Sequence, residues 1–248
     1  MSSVLAAKLD AVSFSYDADA INRQAMMNFT AEFDRGVTTA VMGASGSGKS
    51  TMLALLAGFE RAQSGTIELE GVDATLSPPA ERPLSMVFQN NNLFAHLTVA
   101  KNIALGIAPS LRLKPSDTKE VEMALDAVGL AGYGQRLPAQ LSGGEAQRVA
   151  LARVLVRKRP ILLLDEAFAS LGPSLRDDML DLVAALTRDN HLSTIMVTHA
   201  PQDAQRIAQN LVFLDRGHVV LSGTTADLLG KDGQNDVLKR YLGEGSQT

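Results

Sequence analysis

Val41-Met-Gly-Ala-Ser-Gly-Ser-Gly-Lys-Ser-Thr51 decides how this chain is read, because Gly43 to Ser50 fits the spacing G-x-x-x-x-G-K-[ST]. A loop of Gly43, Ala44, Ser45, Gly46, Ser47 and Gly48 turns backbone N–H groups toward phosphate oxygens, and glycine is needed where a side chain would block that approach. Lys49 would reach the β- and γ-phosphates, and the Ser50 hydroxyl, with Thr51 following it, would ligate Mg²⁺. The flanks agree. Val37-Thr-Thr-Ala-Val-Met42 is β-branched and apolar, as a buried strand should be, and Ser50 to Ala57 reads as a helix whose N-terminus faces the phosphates.

Outward from this loop, strands and helices alternate. Leu5–Tyr16, Thr66–Glu70 and Leu84–Phe88 are expected as strands, with turns at Gly36 and Gly71. Helical spacing takes over from Thr98 to about Lys158: Val99, Ile103 and Leu105 share one side, and Val121, Leu125 and Val128 recur further on. A loop with two prolines, Ala108 to Ser116, separates them. Ser142 opens a helix that runs to Arg157, and Pro160 follows its end. Ile161-Leu-Leu-Leu164 and Ser193-Thr-Ile-Met-Val197 are continuous apolar strands of the kind buried on both faces, with a helix from Pro173 to Leu186 between them. Leu211 to Leu221 reads as a hairpin turning at Asp215-Arg-Gly217. The pattern predicts an α/β fold with a mainly parallel central sheet and a helical insertion before the Ile161 strand.

Composition bounds the function. The 248 residues, 46% of them hydrophobic, suffice for a sizeable core in one large domain or two fused lobes. A net charge of −4 does not suggest a nucleic-acid-binding surface. With no cysteine, disulfides, thiolate metal sites and cysteine nucleophiles are excluded. Met1 to Asp10 lacks a basic segment followed by a long apolar one, so no secretory signal is expected. The longest apolar run, Met52 to Phe59, falls far short of the roughly 20 residues that span a bilayer.

Two further elements carry chemistry. In Leu162-Leu-Leu-Asp165-Glu166 the acids emerge where a core strand ends, at the ligand-binding edge of a parallel sheet. Asp165 can hold Mg²⁺, and Glu166 can polarise a water for attack on a γ-phosphate. In Leu141-Ser142-Gly143-Gly144-Glu145, Ser142 is a good N-cap, and the glycines are expected to leave backbone donors open for a phosphate.

Taken together these motifs resemble those of the ATP-binding cassette (ABC) transporter ATPases over nearly the whole chain. The resemblance implies a P-loop NTPase fold with a parallel core sheet, an antiparallel β subdomain and an inserted α-helical subdomain. A single nucleotide-binding domain would span 1–248, with about 90–158 inserted into a catalytic core of 1–89 and 159–248. Gly43 to Thr51 matches the phosphate loop for ATP, and Gln89 matches the glutamine that senses γ-phosphate and Mg²⁺. Leu141 to Glu145 matches the LSGGQ signature, Leu162 to Glu166 the strand of the Mg²⁺ ligand and catalytic acid, and His199 the switch histidine. Tyr16 falls where the family stacks an aromatic ring on adenine. In that family the signature caps the ATP held by a second domain, so a homodimer is implied. Two residues depart from the pattern: Glu145 stands for the signature glutamine, and Gly172 for the aspartate of the loop after the catalytic strand. Ala167 also replaces a frequent proline.

Asn90 to Asn102 follows Gln89 at the place where importers of this family receive the coupling helix of their transmembrane permease, and Leu93 and Phe94, expected to be exposed, read equally as ordinary core residues or as a docking groove. Phe88 to Val99, Pro109 to Leu113 and Arg136 to Gly144 are similar to the thiamine-transporter ATPases of bacteria. The resemblance implies work on the cytoplasmic face of the inner membrane, with a periplasmic solute-binding protein reached only indirectly. Import of iron(III), polyamine or another small solute is the next reading, and a soluble ABC ATPase of translation, DNA repair or iron–sulfur assembly is a third.

Overall fold

The computed structural model describes residues 4–16, 26–88 and 92–230, together with 238, 241 and 243. The chain runs β1 (Leu5–Phe14), β2 (Met27–Asp34), β3 (Thr38–Gly43), α1 (Lys49–Ala57), β4 (Ser64–Leu69), β5 (Val72–Asp73) and β6 (Leu84–Phe88). Three helices follow, α2 (Val99–Ala104), α3 (Pro115–Ala127) and α4 (Gly143–Arg157). Then come β7 (Ile161–Asp165), α5 (Pro173–Asp189), β8 (Ser193–Val197), α6 (Pro201–Ile207), β9 (Asn210–Asp215), β10 (His218–Thr224) and α7 (Thr225–Leu229).

The strands form one sheet in the order β5-β4-β1-β2-β10-β9-β3-β8-β7-β6. From β9 to β6 neighbouring strands are parallel, whereas β5, β4, β1 and β2 pair antiparallel. β7 and β8 are buried along almost their whole length because helices cover both faces of the parallel half, and β7 is apolar up to Asp165. One core cluster joins α2, α3 and α4 to α5 and one sheet face; a second joins β1, β2 and α1 to the other.

Strand register aligns the functional ends. Val41 pairs with Val197, and Val197 with Asp165. The chain therefore leaves the sheet toward the phosphate loop, Glu166 and His199 from one carboxyl edge, where ligands bind in open α/β sheets. The helix after the phosphate loop is braced from behind. Buried Arg82 donates to the carbonyls of Leu55 (2.6 Å) and Leu56 (2.7 Å), placing a cation on the carbonyl end of α1.

Several expectations need correcting. β1 ends at Phe14, so Tyr16 lies beyond the strand. The predicted strand Thr66–Glu70 is shifted to Ser64–Leu69, and Glu70 turns the chain at φ 53°. Leu93 is not an exposed groove residue: it is half-buried and packs on the core of the helical segment, whereas Phe94 is 50% exposed. The sequence reading also passed over β2, although Phe29, Ala31 and Phe33 alternate inward along it, and it passed over α6, which opens with Pro201.

Candidate functional site

The phosphate-loop segment forms the floor of a cleft of about 550 Å³. Tyr16, Ser45, Gly46, Gly48, Lys49, Ser50 and Thr51 line it from one side, Glu166 and His199 from the other. Gly48 sits at φ 100° as the residue before α1, and a Cβ there would lie 3.2 Å from Phe29, so the turn into the helix calls for glycine on two counts. The helix start carries no side-chain cap, which leaves its first N–H groups for a ligand. Lys49 is folded back, with Nζ donating to the carbonyls of Gly43 (2.8 Å) and Ala44 (2.9 Å). Burial pushes its pKa down, and the charges of Glu166 and Asp165 oppose that shift. The Ser47 hydroxyl is buried with no partner among the described residues.

Ser50 and Asp165 converge from α1 and β7, the hydroxyl donating to Oδ1 across 3.1 Å. Burial holds the Asp165 carboxyl above the ordinary carboxylate range, aided by the neighbouring Glu166 charge and opposed by the Ser50 hydrogen bond and Lys49. A hydroxyl and a carboxylate oxygen at one point, with the carboxylate short of positive charge, fit a hard divalent cation. Gln89, the third expected metal-side residue, lies outside the described residues, as do Asn90 and Asn91 of the loop that follows it.

Glu166 takes a left-handed backbone at φ 47°, a sparsely populated conformation for a residue with a side chain. That turn swings its carboxylate out of the strand line and to 3.7 Å from His199 Nδ1. Tyr16 stands at the cleft mouth, 67% exposed, its ring edge-on to Phe14 and its hydroxyl 3.2 Å from the Thr51 hydroxyl. An exposed ring held in place on two sides is free to stack on a flat ligand.

Residues 141–145 do not join this constellation: none of them is among the described residues lining the cleft. The start of α4 instead packs on α5, so closely that a Cβ on Gly144 would fall 2.7 Å from Leu175. Nor are all the donors there open, as the Ser-Gly-Gly start led us to expect. Glu145 closes a capping box, accepting from the Ser142 N–H (2.7 Å) and hydroxyl (2.8 Å), while its own N–H donates to the Ser142 oxygen (3.3 Å). Those bonds, together with the Tyr133 hydroxyl and the charge of Arg136, keep the Glu145 carboxyl below its ordinary pKa. The Arg136 guanidinium lies 3.5 Å over the Tyr133 ring.

Two features escaped the sequence reading. Buried Asp203 accepts from Thr198 and Arg176 immediately beside His199. The Tyr241 hydroxyl donates to the carbonyls of Gly43 (3.3 Å) and His199 (3.4 Å). A carboxylate three residues into a helix and a tyrosine far along the chain carry no spacing signal.

Comparison with known proteins bears on this geometry. A family model described as ABC transporter matches residues 26–169. The thiamine import ATP-binding protein ThiQ of Mesorhizobium japonicum is 55% identical over 95% of this chain and 90% of its own length. The protein of the same description from Brucella suis is 53% identical, with 96% and 95% covered. The ATP-binding cassette MJ0796, solved as a dimer in a post-hydrolysis state with ADP and Pi, superposes with a TM-score of 0.75 at 25% identity, covering 88% of this chain and 98% of that one.

Proposed function

The chain belongs to the ABC transporter family, and on that premise we propose that it is the ATP-hydrolysing subunit of a bacterial thiamine importer, a single nucleotide-binding domain that works as a homodimer against a membrane permease. The observation that carries this reading is a division of labour. Lys49, Ser50, Asp165, Glu166 and His199 meet at one sheet edge, while Ser142 to Glu145 faces elsewhere. One chain thus supplies a phosphate floor and a separate cap, and two copies placed head to tail complete two sites. The post-hydrolysis dimer of MJ0796 supports that arrangement.

The chemistry follows from the side chains. ATP lies with its base against Tyr16 and its phosphates over Gly43 to Thr51. Lys49 leaves the loop carbonyls for the β- and γ-phosphates, offsetting their charge where it grows in the transition state. Ser50 and Asp165 hold Mg²⁺, with Gln89 as the further residue the family assigns to it; the ion's contribution is to neutralise the phosphate oxygens. Glu166 accepts the proton of a water as its oxygen bonds to the γ-phosphorus and the bond to ADP breaks. His199 contacts the γ-phosphate from the side opposite the loop and steadies Glu166.

No described helix is long and apolar enough to cross a membrane. The test is ATP-driven uptake by the assembled transporter, offered labelled thiamine, iron(III) or polyamine in turn. Thiamine uptake that needs this chain supports the reading. Uptake of another solute in its place overturns the cargo but keeps the ATPase.

A further inference from the structure

The His199 backbone is gripped on both sides, while its side chain stands half-exposed beside Glu166. Thr198, before it, donates its hydroxyl to Asp203 Oδ2 at 2.8 Å, and the N–H of Ala200, after it, donates to that same threonine oxygen at 3.1 Å. The imidazole itself is 54% exposed in the cleft. Asp203 Oδ2 also takes Arg176, from Nε at 3.1 Å and from a second guanidinium nitrogen. A single buried oxygen therefore collects three donors. Asp203 sits in the first turn of α6, yet its carboxylate is spent on Thr198 and Arg176.

Arg176 brings in a second element. Its N–H donates to the Gly172 carbonyl at 2.9 Å in the first turn of α5, the helix entered from the loop after Glu166. Arg176, Thr198 and Asp203 line, with Glu166, Ala169 and His199, a small void directly behind the Glu166–His199 pair. A buried ion pair is a poor source of stability, because desolvation consumes most of the attraction. Its value here is placement: catalytic groups must be held within about 0.5 Å of their working geometry.

We propose that Asp203 and Arg176 are positioning residues that fix the imidazole of His199 against Glu166 and tie its place to segment 169–172. The brace rests on the reading of His199 as a γ-phosphate contact. It makes the loop at Gly172 and the histidine loop one mechanical unit, so displacement of the former by a second copy moves the latter.

The test is steady-state ATPase of the full chain for His199→Ala, Asp203→Asn, and the two combined. Asp203→Asn should lower kcat about 10-fold or more, by misplacing His199, while KM for ATP changes less than about 2-fold. On the His199→Ala background the same substitution should cost nothing further. If Asp203→Asn leaves a part-buried unpaired guanidinium and does not fold, Arg176→Gln combined with Asp203→Asn removes both charges together, with a side chain too short to restore the contact, and carries the same expectation. Wild-type kcat in a folded variant, or losses that multiply in the His199→Ala background, overturn the brace alone. An unchanged kcat in His199→Ala overturns the brace together with the reading beneath it.

Discussion

The Ser50 hydroxyl donates to Asp165 Oδ1 across 3.1 Å, joining the first turn of α1 to the carboxyl end of β7. Burial raises the Asp165 pKa, so the ionised carboxylate, with no cation beside it, works against the fold. The sign follows from linkage: where the folded pKa of an acid lies above its unfolded value, the unfolded chain ionises first, and stability falls as pH rises through that window. Asp165→Asn should therefore raise the Tm of the Mg²⁺- and nucleotide-free chain at neutral pH, by a small margin because the carboxylate is part-exposed and screened. The variant should lose the wild type's stability decline from the carboxylate range upward, along with Mg²⁺-dependent ATP hydrolysis. Thermal melts from acid to neutral pH check this; a lower Tm at neutral pH would mean that the Ser50 bond outweighs the desolvation.

Lys49→Ala removes the cation that Gly43 and Ala44 hold in reserve. ATP binding should weaken strongly and turnover fall by about 10²-fold or more. Equilibrium binding of a fluorescent ATP analogue and phosphate release read the two effects. Near-normal turnover would sink the phosphate-loop assignment.

Glu166→Gln keeps the size of the side chain and removes its basicity. The variant should bind ATP and stay closed as a dimer, with hydrolysis down about 10²-fold or more. Size-exclusion chromatography with ATP and with ADP, beside phosphate release, measures this. Equal hydrolysis in wild type and variant would show that another group takes the proton.

Phe94 is the better probe of permease docking than the Leu93–Phe94 pair, because Leu93 is half-buried and packs against the core. Buried Asn102 holds the Phe94 backbone, accepting its N–H at 2.8 Å and donating to its carbonyl at 3.1 Å, so the ring is presented on a fixed loop. Phe94→Asp would bury a carboxylate in any apolar groove that receives it. Solute uptake should collapse while the isolated chain keeps its ATPase rate, both measured on one preparation. Normal uptake would place the contact elsewhere.

What the sequence disclosed follows from how each signal arises. The phosphate loop, the Asp165-Glu166 strand end and the Ser142 cap were legible because backbone geometry ties them to fixed local spacings. The hairpin turn at Asp215 to Gly217 was legible for the same reason, its two central residues lying at φ 46° and 81°. Asp203, Arg176 and Arg82 were not, since Arg82 reaches carbonyls 26 and 27 positions away and Arg176 meets Asp203 across 27 positions, contacts made only on folding. The self-closed capping box at Glu145 follows from the S-x-x-E spacing, which the adjoining glycines do not alter.

That capping box decides what the two departures from the family pattern do. Ionised Glu145 lies at the start of α4, on the segment that would cap a partner's nucleotide, and Ser142 spends its hydroxyl proton on it. In a closed dimer the carboxylate would oppose the triphosphate, with Arg136 as the nearby cation that offsets part of its charge. Glutamine accepts the same capping bonds without the charge and adds a donor, so Glu145→Gln should preserve α4. Gly172 stands at φ −63° with nothing within 4 Å of a Cβ, so aspartate fits there without strain and can cap α5 as well as reach across an interface. Glu145→Gln with Gly172→Asp should therefore lower the ATP concentration needed for dimerisation and steepen the dependence of rate on ATP. Steady-state ATPase across a range of ATP, wild type and double variant side by side, reads both the midpoint and the steepness. If neither moves, Arg136 and the cap already neutralise Glu145, and the two substitutions carry no functional weight in this chain.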